Sequence, residues 1–142
     1  MADQDGVAQV QVLEHRGDVE VVLDAGDVVG INPIGVTTTN DADALIALRP
    51  DCVVYAANGP ERDAAAVPDY VRLLETGINV VSTSTNRLIH PASFEPEAWR
   101  TRLLTAARAG GASLYASGIE PGFAADHLVL MLATQSKSIT KI

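Results

Sequence analysis

Three short polar segments carry the residues of this sequence best suited to chemistry. They are Asn58-Gly59-Pro60-Glu61, Ser82-Thr83-Ser84-Thr85-Asn86 and Ser117-Gly118-Ile119-Glu120-Pro121-Gly122. Hydroxyls, amides and glycines of this kind let backbone N–H groups approach a phosphate, a ribose or an amide closely. One such segment alone is ordinary turn chemistry. Three of them, each directly behind an apolar run, point to a shared ligand edge, because open α/β sheets bind ligands outside the carboxyl ends of their strands. Glu120 is the acid nearest that edge; it reads equally as a substrate contact or as a cap for the helix after Pro121.

The remaining candidates point to no catalytic acid, base or nucleophile. His15 precedes an Arg-Gly turn, His90 precedes Pro91 in a loop, and His127 lies in an apolar helical stretch beside Asp126. Cys52 opens an apolar run, where cysteine behaves as a small hydrophobe. Ser117 does not sit in a G-x-S-x-G elbow. No His, Cys, Asp or Glu grouping has metal-ligand spacing, so no metal site is expected.

The elements that must position the polar segments follow from the apolar pattern. Residues 52–57, 78–82 and 112–117 read as three short, nearly continuous apolar strands, the pattern of strands buried on both faces. Between them lie helical patterns. Residues 41–48 begin with acids and stop before Pro50; 67–76 place Val67, Tyr70, Val71 and Leu74 on one face, with Pro68 in the first turn and Gly77 as the C-cap. Residues 95–109 end at Gly110-Gly111, and 124–134 form the most apolar helix. Alternation of this kind predicts adjacent parallel strands with helices on both faces. Residues 19–23 read as a further strand, 7–13 as strand or helix, and 24–40 as glycine-rich loop with a short strand near Val36-Thr37-Thr38.

Composition sets the outer bounds. At 142 residues and 47% hydrophobic content the chain suits one domain with an aliphatic core. No apolar run approaches the roughly 20 residues of a membrane span, so no membrane contact is expected. The acidic start MADQDG and the lone Cys52 fit a cytoplasmic protein. The net charge of −8 falls wholly within residues 1–51, where ten acids face Arg16 and Arg49. No basic cluster is present to neutralise phosphates, which argues against nucleic-acid binding.

The segments YAANGPERDAAAVPDYVRLLETGINVVSTST and SLYASGIEPGFAADHLVL closely resemble the nucleotide-binding half of dihydrodipicolinate reductase-like proteins, the group that includes the 2,4-diaminopentanoate dehydrogenases. The resemblance runs from about Asp24 to the C-terminus. It implies a Rossmann-like α/β domain that binds NAD or NADP and exchanges hydride with an imine or amine substrate. By motif it places Ala57, Asn58 and Gly59 near the nicotinamide-side ribose. It places Ser82, Thr83, Ser84 and Thr85 at the cofactor turn, and Ser117, Gly118 and Ile119 at the nicotinamide carboxamide.

The sequence departs from that family at both ends. No G-x-G-x-x-G precedes a helix, so the first strand and its glycine-rich turn are read as missing. The expected organisation is a divergent remnant of the first helix and second strand in 1–23, a partial dinucleotide-binding domain in 24–134, and the start of a missing second domain in 135–142. Three functions follow. One is the nucleotide-binding part of an NAD(P)-dependent oxidoreductase, with poor dinucleotide affinity and no turnover by this chain alone. Another is a non-catalytic truncated remnant that folds or oligomerises without dinucleotide. The third is an unrelated α/β small-molecule binder. The apolar stretch Leu128–Leu132 further predicts an exposed apolar flank and self-association.

Overall fold

A computed structural model describes residues 23–39, 41–57, 62–93 and 96–141. Most of the expected strand and helix in 7–23, and the Asn58-Gly59-Pro60-Glu61 segment, lie outside the described residues. The chain divides into two compact units, Met1–Pro50 and Asp51–Ile142.

In the first unit, helix α1 spans Ala25–Val29 and helix α2 spans Ala42–Ala47. The glycine-rich region 24–40 reads as mostly loop in the sequence. It contains α1 because Asp24 supplies a side-chain cap to the Gly26 N–H and Gly30 closes the helix at φ 75°. The short strand expected near Val36-Thr37-Thr38 is a single antiparallel bridge between Asp24 and Thr37. Asp41 caps α2 through the N–H groups of Asp43 and Ala44.

The second unit is built on three parallel strands in the order β1 (Cys52–Tyr55), β2 (Asn79–Ser82) and β3 (Leu114–Ala116). Helix α3 (Arg62–Glu75) connects β1 to β2, and helix α4 (Glu97–Gly110) lies between β2 and β3. The α/β architecture with a parallel sheet is therefore as the apolar pattern requires. Helix α3 starts earlier than expected, since the Asp63-Ala64-Ala65-Ala66 stretch favours helix and extends it N-terminally. Pro68 consequently sits inside the helix rather than in its first turn. Gly77 ends α3 as expected, at φ 83°. Its N–H donates to Leu74 O at 3.0 Å and the Ile78 N–H to Leu73 O at 3.0 Å, the pairing of a Schellman cap.

The core lies on one side of the sheet. Helix α3 packs on β2 and against α4, and Val67, Tyr70, Leu74, Val80, Leu103 and Ala106 are all buried there. The helices meet closely at Gly110, where a Cβ would overlap the Leu74 carbonyl oxygen. Successive residues of a strand face opposite sides, and the other row behaves differently. Val54, Val81 and Tyr115 are register partners across the sheet, and they are 70%, 37% and 58% exposed. Cys52 belongs to the same row and is exposed, contrary to the expectation of a buried position. Among the described residues the strands are thus buried on one face.

Strand register is held at the N-terminal edge by Asn79. Its Nδ2 donates to Asp51 O at 2.9 Å, and its Oδ1 accepts the Ser113 N–H at 2.9 Å, so one side chain ties the starts of all three strands. After β3 the chain enters a π-type helical segment, Ile119–Leu128, whose backbone is non-helical at Glu120, Pro121 and Gly122. It continues as helix α5 (Val129–Ala133). Leu130, Met131 and Leu132 are exposed, which is the apolar flank read from the sequence. No helix among the described residues is long and apolar enough to cross a membrane.

Candidate functional site

Parallel strands in register end together, and Tyr55, Ser82 and Ala116 stand side by side at the carboxyl edge. The segments that follow are stitched to one another. The Tyr55 carbonyl oxygen accepts the Thr83 N–H at 3.1 Å and the Ser84 hydroxyl at 3.3 Å. The Ser82 carbonyl oxygen accepts the Ser117 N–H at 2.9 Å. Two of the three polar segments, 82–86 and 117–122, are therefore brought to one edge. The third begins beyond Ala57, which is half-buried just after β1; Asn58 and Gly59 lie outside the described residues.

Within the 82–85 turn the four hydroxyls divide into two pairs. Ser82 and Thr85 are fully buried, and their hydroxyls face inward to the phenol of Tyr70, at 2.6 Å and 3.0 Å respectively. Ser82 Oγ also accepts the Ser84 N–H at 3.0 Å. Thr83 is exposed and Ser84 half-buried. Of the hydroxyls assigned to a cofactor contact, Thr83 and Ser84 stand where a ligand could reach them, and Ser82 and Thr85 serve as foundations. Ser117 and Gly118 are half-buried, and Ile119 and Glu120 are exposed at the same edge. Glu120 stands ahead of the helix proper, whose regular backbone resumes only after Gly122.

Beneath the turn lies an aromatic and acidic support that the sequence reading missed. The rings of Tyr55 and Tyr70 meet edge to face, with centroids 4.9 Å apart. The Tyr55 phenol donates to Asp69 Oδ2 at 2.9 Å. Burial, and then the Asp69 hydrogen bond and charge, push the Tyr55 phenol well above its usual range. Burial also pushes Tyr70 up, partly offset by its bonds to Ser82 and Thr85. Arg87, on the 3-10 turn Asn86–Ile89 that follows Thr85, donates through Nε and Nη2 to Asp63 Oδ2 at 2.8 and 2.6 Å. The only sequence signal for this support was tyrosine, rather than phenylalanine or leucine, on the apolar face of α3.

The other candidates are dispersed. His90 is exposed at the end of the same 3-10 turn. His127 is exposed, and its Nδ1 lies 3.4 Å from Gly122 O. His15 falls outside the described residues. Among the described residues no group of three His, Cys, Asp or Glu side chains could hold a metal ion. In the first unit, Asp24 holds a loop together. Its carboxylate accepts the N–H groups of Gly26 and Ile34 at 2.8 Å each and of Gly35 at 2.7 Å. Those donors, Ile34 foremost, hold the carboxyl below its ordinary value.

Comparison with known proteins adds a chemical context to this edge. No family model matches the sequence. The chain is 38% identical over 132 residues to an amine dehydrogenase of Streptomyces virginiae, covering 92% of this chain and 36% of that protein. The structure of amine dehydrogenase from Mycobacterium smegmatis matches with a TM-score of 0.66 at 30% identity, over 84% of this chain and 35% of that one. This chain resembles part of an amine dehydrogenase. It spans about a third of the length of each of these two relatives.

Proposed function

We propose that the carboxyl edge formed by residues 82–85 and 117–120 is one side of a dinucleotide site, and that the chain contributes it to an NAD(P)-dependent oxidoreductase acting on amines. The observation that carries this reading is the Ser117 N–H bond to Ser82 O, which brings Ser117-Gly118-Ile119 to the same strand edge as the exposed Thr83 and half-buried Ser84, within a region similar to amine dehydrogenases. Kinship with the dihydrodipicolinate reductase-like proteins is the finer form of the same reading.

The donors present fit the nicotinamide end of such a cofactor. An exposed threonine hydroxyl, a half-buried serine hydroxyl and a glycine-containing backbone suit a carboxamide and a ribose. The diphosphate end is ordinarily held by a glycine-rich turn, and no G-x-G-x-x-G occurs in the 142 residues. Affinity is therefore weak and rests on Thr83, Ser84 and residues 117–119. The chemistry supplied by the cofactor, when bound, is hydride exchange with the carbon that bears the amine. The residues of this chain orient the nicotinamide; Glu120, exposed beside it, is placed to attract a cationic amine.

The test is titration of the full chain with NADH and with NADPH, followed by nicotinamide fluorescence. Saturable binding that Thr83→Val weakens about fivefold, the worth of one neutral hydrogen bond, is expected. Absence of saturable binding to either dinucleotide would overturn the proposal.

A further inference from the structure

We infer that Tyr70 is a positioning residue for the Thr83–Ser84 turn: its buried hydroxyl grips both ends of the turn and sets the conformation presented to a ligand. The identity of that ligand rests on the dinucleotide reading above; the grip does not.

The argument begins with the cost of the hydroxyl. Tyr70 is fully buried in the middle of α3, where phenylalanine would fill the same space. A buried hydroxyl is unfavourable unless it is paired. This one is paired twice, with Ser82 on the last position of β2 and with Thr85 three residues later. Thr83 and Ser84 are the two residues between these anchors. A single oxygen thereby restrains both ends of a four-residue turn. Ser82 passes the restraint on, since its Oγ accepts the Ser84 N–H. Thr85 passes it forward, since its carbonyl oxygen accepts the Leu88 N–H at 3.0 Å. The Tyr55 carbonyl holds the middle through Thr83 N–H. The phenol itself is located by the edge-to-face contact with Tyr55, whose own hydroxyl is tied to Asp69, the residue preceding Tyr70 on α3. Removing the Tyr70 oxygen leaves the ring contact in place and releases both anchors.

The experiment compares full-length wild type, Tyr70→Phe and a control, Thr76→Val. The control removes a hydroxyl that bonds the Arg72 and Leu73 carbonyls at the end of α3, away from the turn. Amide hydrogen exchange is followed at Thr83, Ser84 and Leu88, with Leu74 and Val80 as core references. Tyr70→Phe is expected to speed exchange at Thr83, Ser84 and Leu88 about tenfold more than at the references, the scale of one lost buried hydrogen bond. Thr76→Val is expected to show no such excess. Uniform acceleration in Tyr70→Phe, as in the control, would overturn the inference. NADH titration of the same proteins gives a second arm. Weaker binding by Tyr70→Phe and not by Thr76→Val supports positioning of the ligand-facing hydroxyls, and equal binding by both overturns it. If wild type binds neither NADH nor NADPH, the dinucleotide reading fails, and the exchange arm alone decides whether Tyr70 positions the turn.

Discussion

The two faces of the three-stranded sheet are made of similar residues and lead different lives. One face carries Val80 and Ser82 under α3, fully enclosed. The other carries Val54, Val81 and Tyr115 in register, exposed among the described residues. Apolar content in a strand therefore qualifies both faces for burial without saying what covers either. The covered face does more than fill a core. At its carboxyl end the packing changes from aliphatic to hydroxylic, through Tyr70, Ser82 and Thr85. The foundation of the candidate site and the hydrophobic core are thus one continuous structure, and the open face takes no part in it.

The contrast can be attacked first at the centre of the covered face. Leu74→Ala is expected to cost about 3 kcal/mol, the range for a fully buried leucine that leaves a cavity. Urea unfolding monitored by circular dichroism measures it. Gly110→Ala should cost about 2 kcal/mol in the same assay, because the added methyl forces α4 away from the Leu74 carbonyl.

A smaller loss is expected for Tyr70→Phe, about 1 kcal/mol for the buried hydroxyl pairing, and it has a pH signature. The folded chain holds the phenols of Tyr55 and Tyr70 above their ordinary value of about 10, so the unfolded chain ionises first as pH rises. The stability linked to these two protons is full below about pH 10 and declines above it. Unfolding curves between about pH 8 and about pH 11 should show that decline in wild type, and a shallower one in Tyr70→Phe. An unchanged slope would mean that Tyr70 is not shielded in solution.

Smallest of all is the expected effect on the open face. Val54→Thr should change stability by less than about 0.5 kcal/mol, as surface substitutions do. A loss above about 1 kcal/mol would show that Val54 is buried in solution and would remove the contrast between the faces.

Much of this architecture was legible residue by residue. The apolar runs at 52–57, 78–82 and 112–117 located three strands, and their alternation with helical patterns implied parallel pairing. Gly77 was readable as a helix end because few residues other than glycine adopt its positive φ. The extent of α3 was less legible. Pro68 suggested a helix start, yet the alanine-rich turn before it was helical enough to carry the proline within the helix. Helix α1 went unread because its glycines resembled loop, while its cap came from a single aspartate.

The candidate site divides along the same line. The sequence by itself determined which residue types stand behind each strand, and hence that Ser82, Thr83, Ser84, Thr85, Ser117 and Gly118 gather at one edge, because parallel strands in register must end together. Only the tertiary structure decided which of those hydroxyls face outward. The two-residue alternation of a strand continues into its last position, so Ser82 points into the core. Tyr70, twelve residues earlier on another element, meets it there and takes Thr85 as well. That partnership joins the crossover helix to the strand that follows it. It is fixed by how α3 packs on β2, which no local pattern of residues encodes.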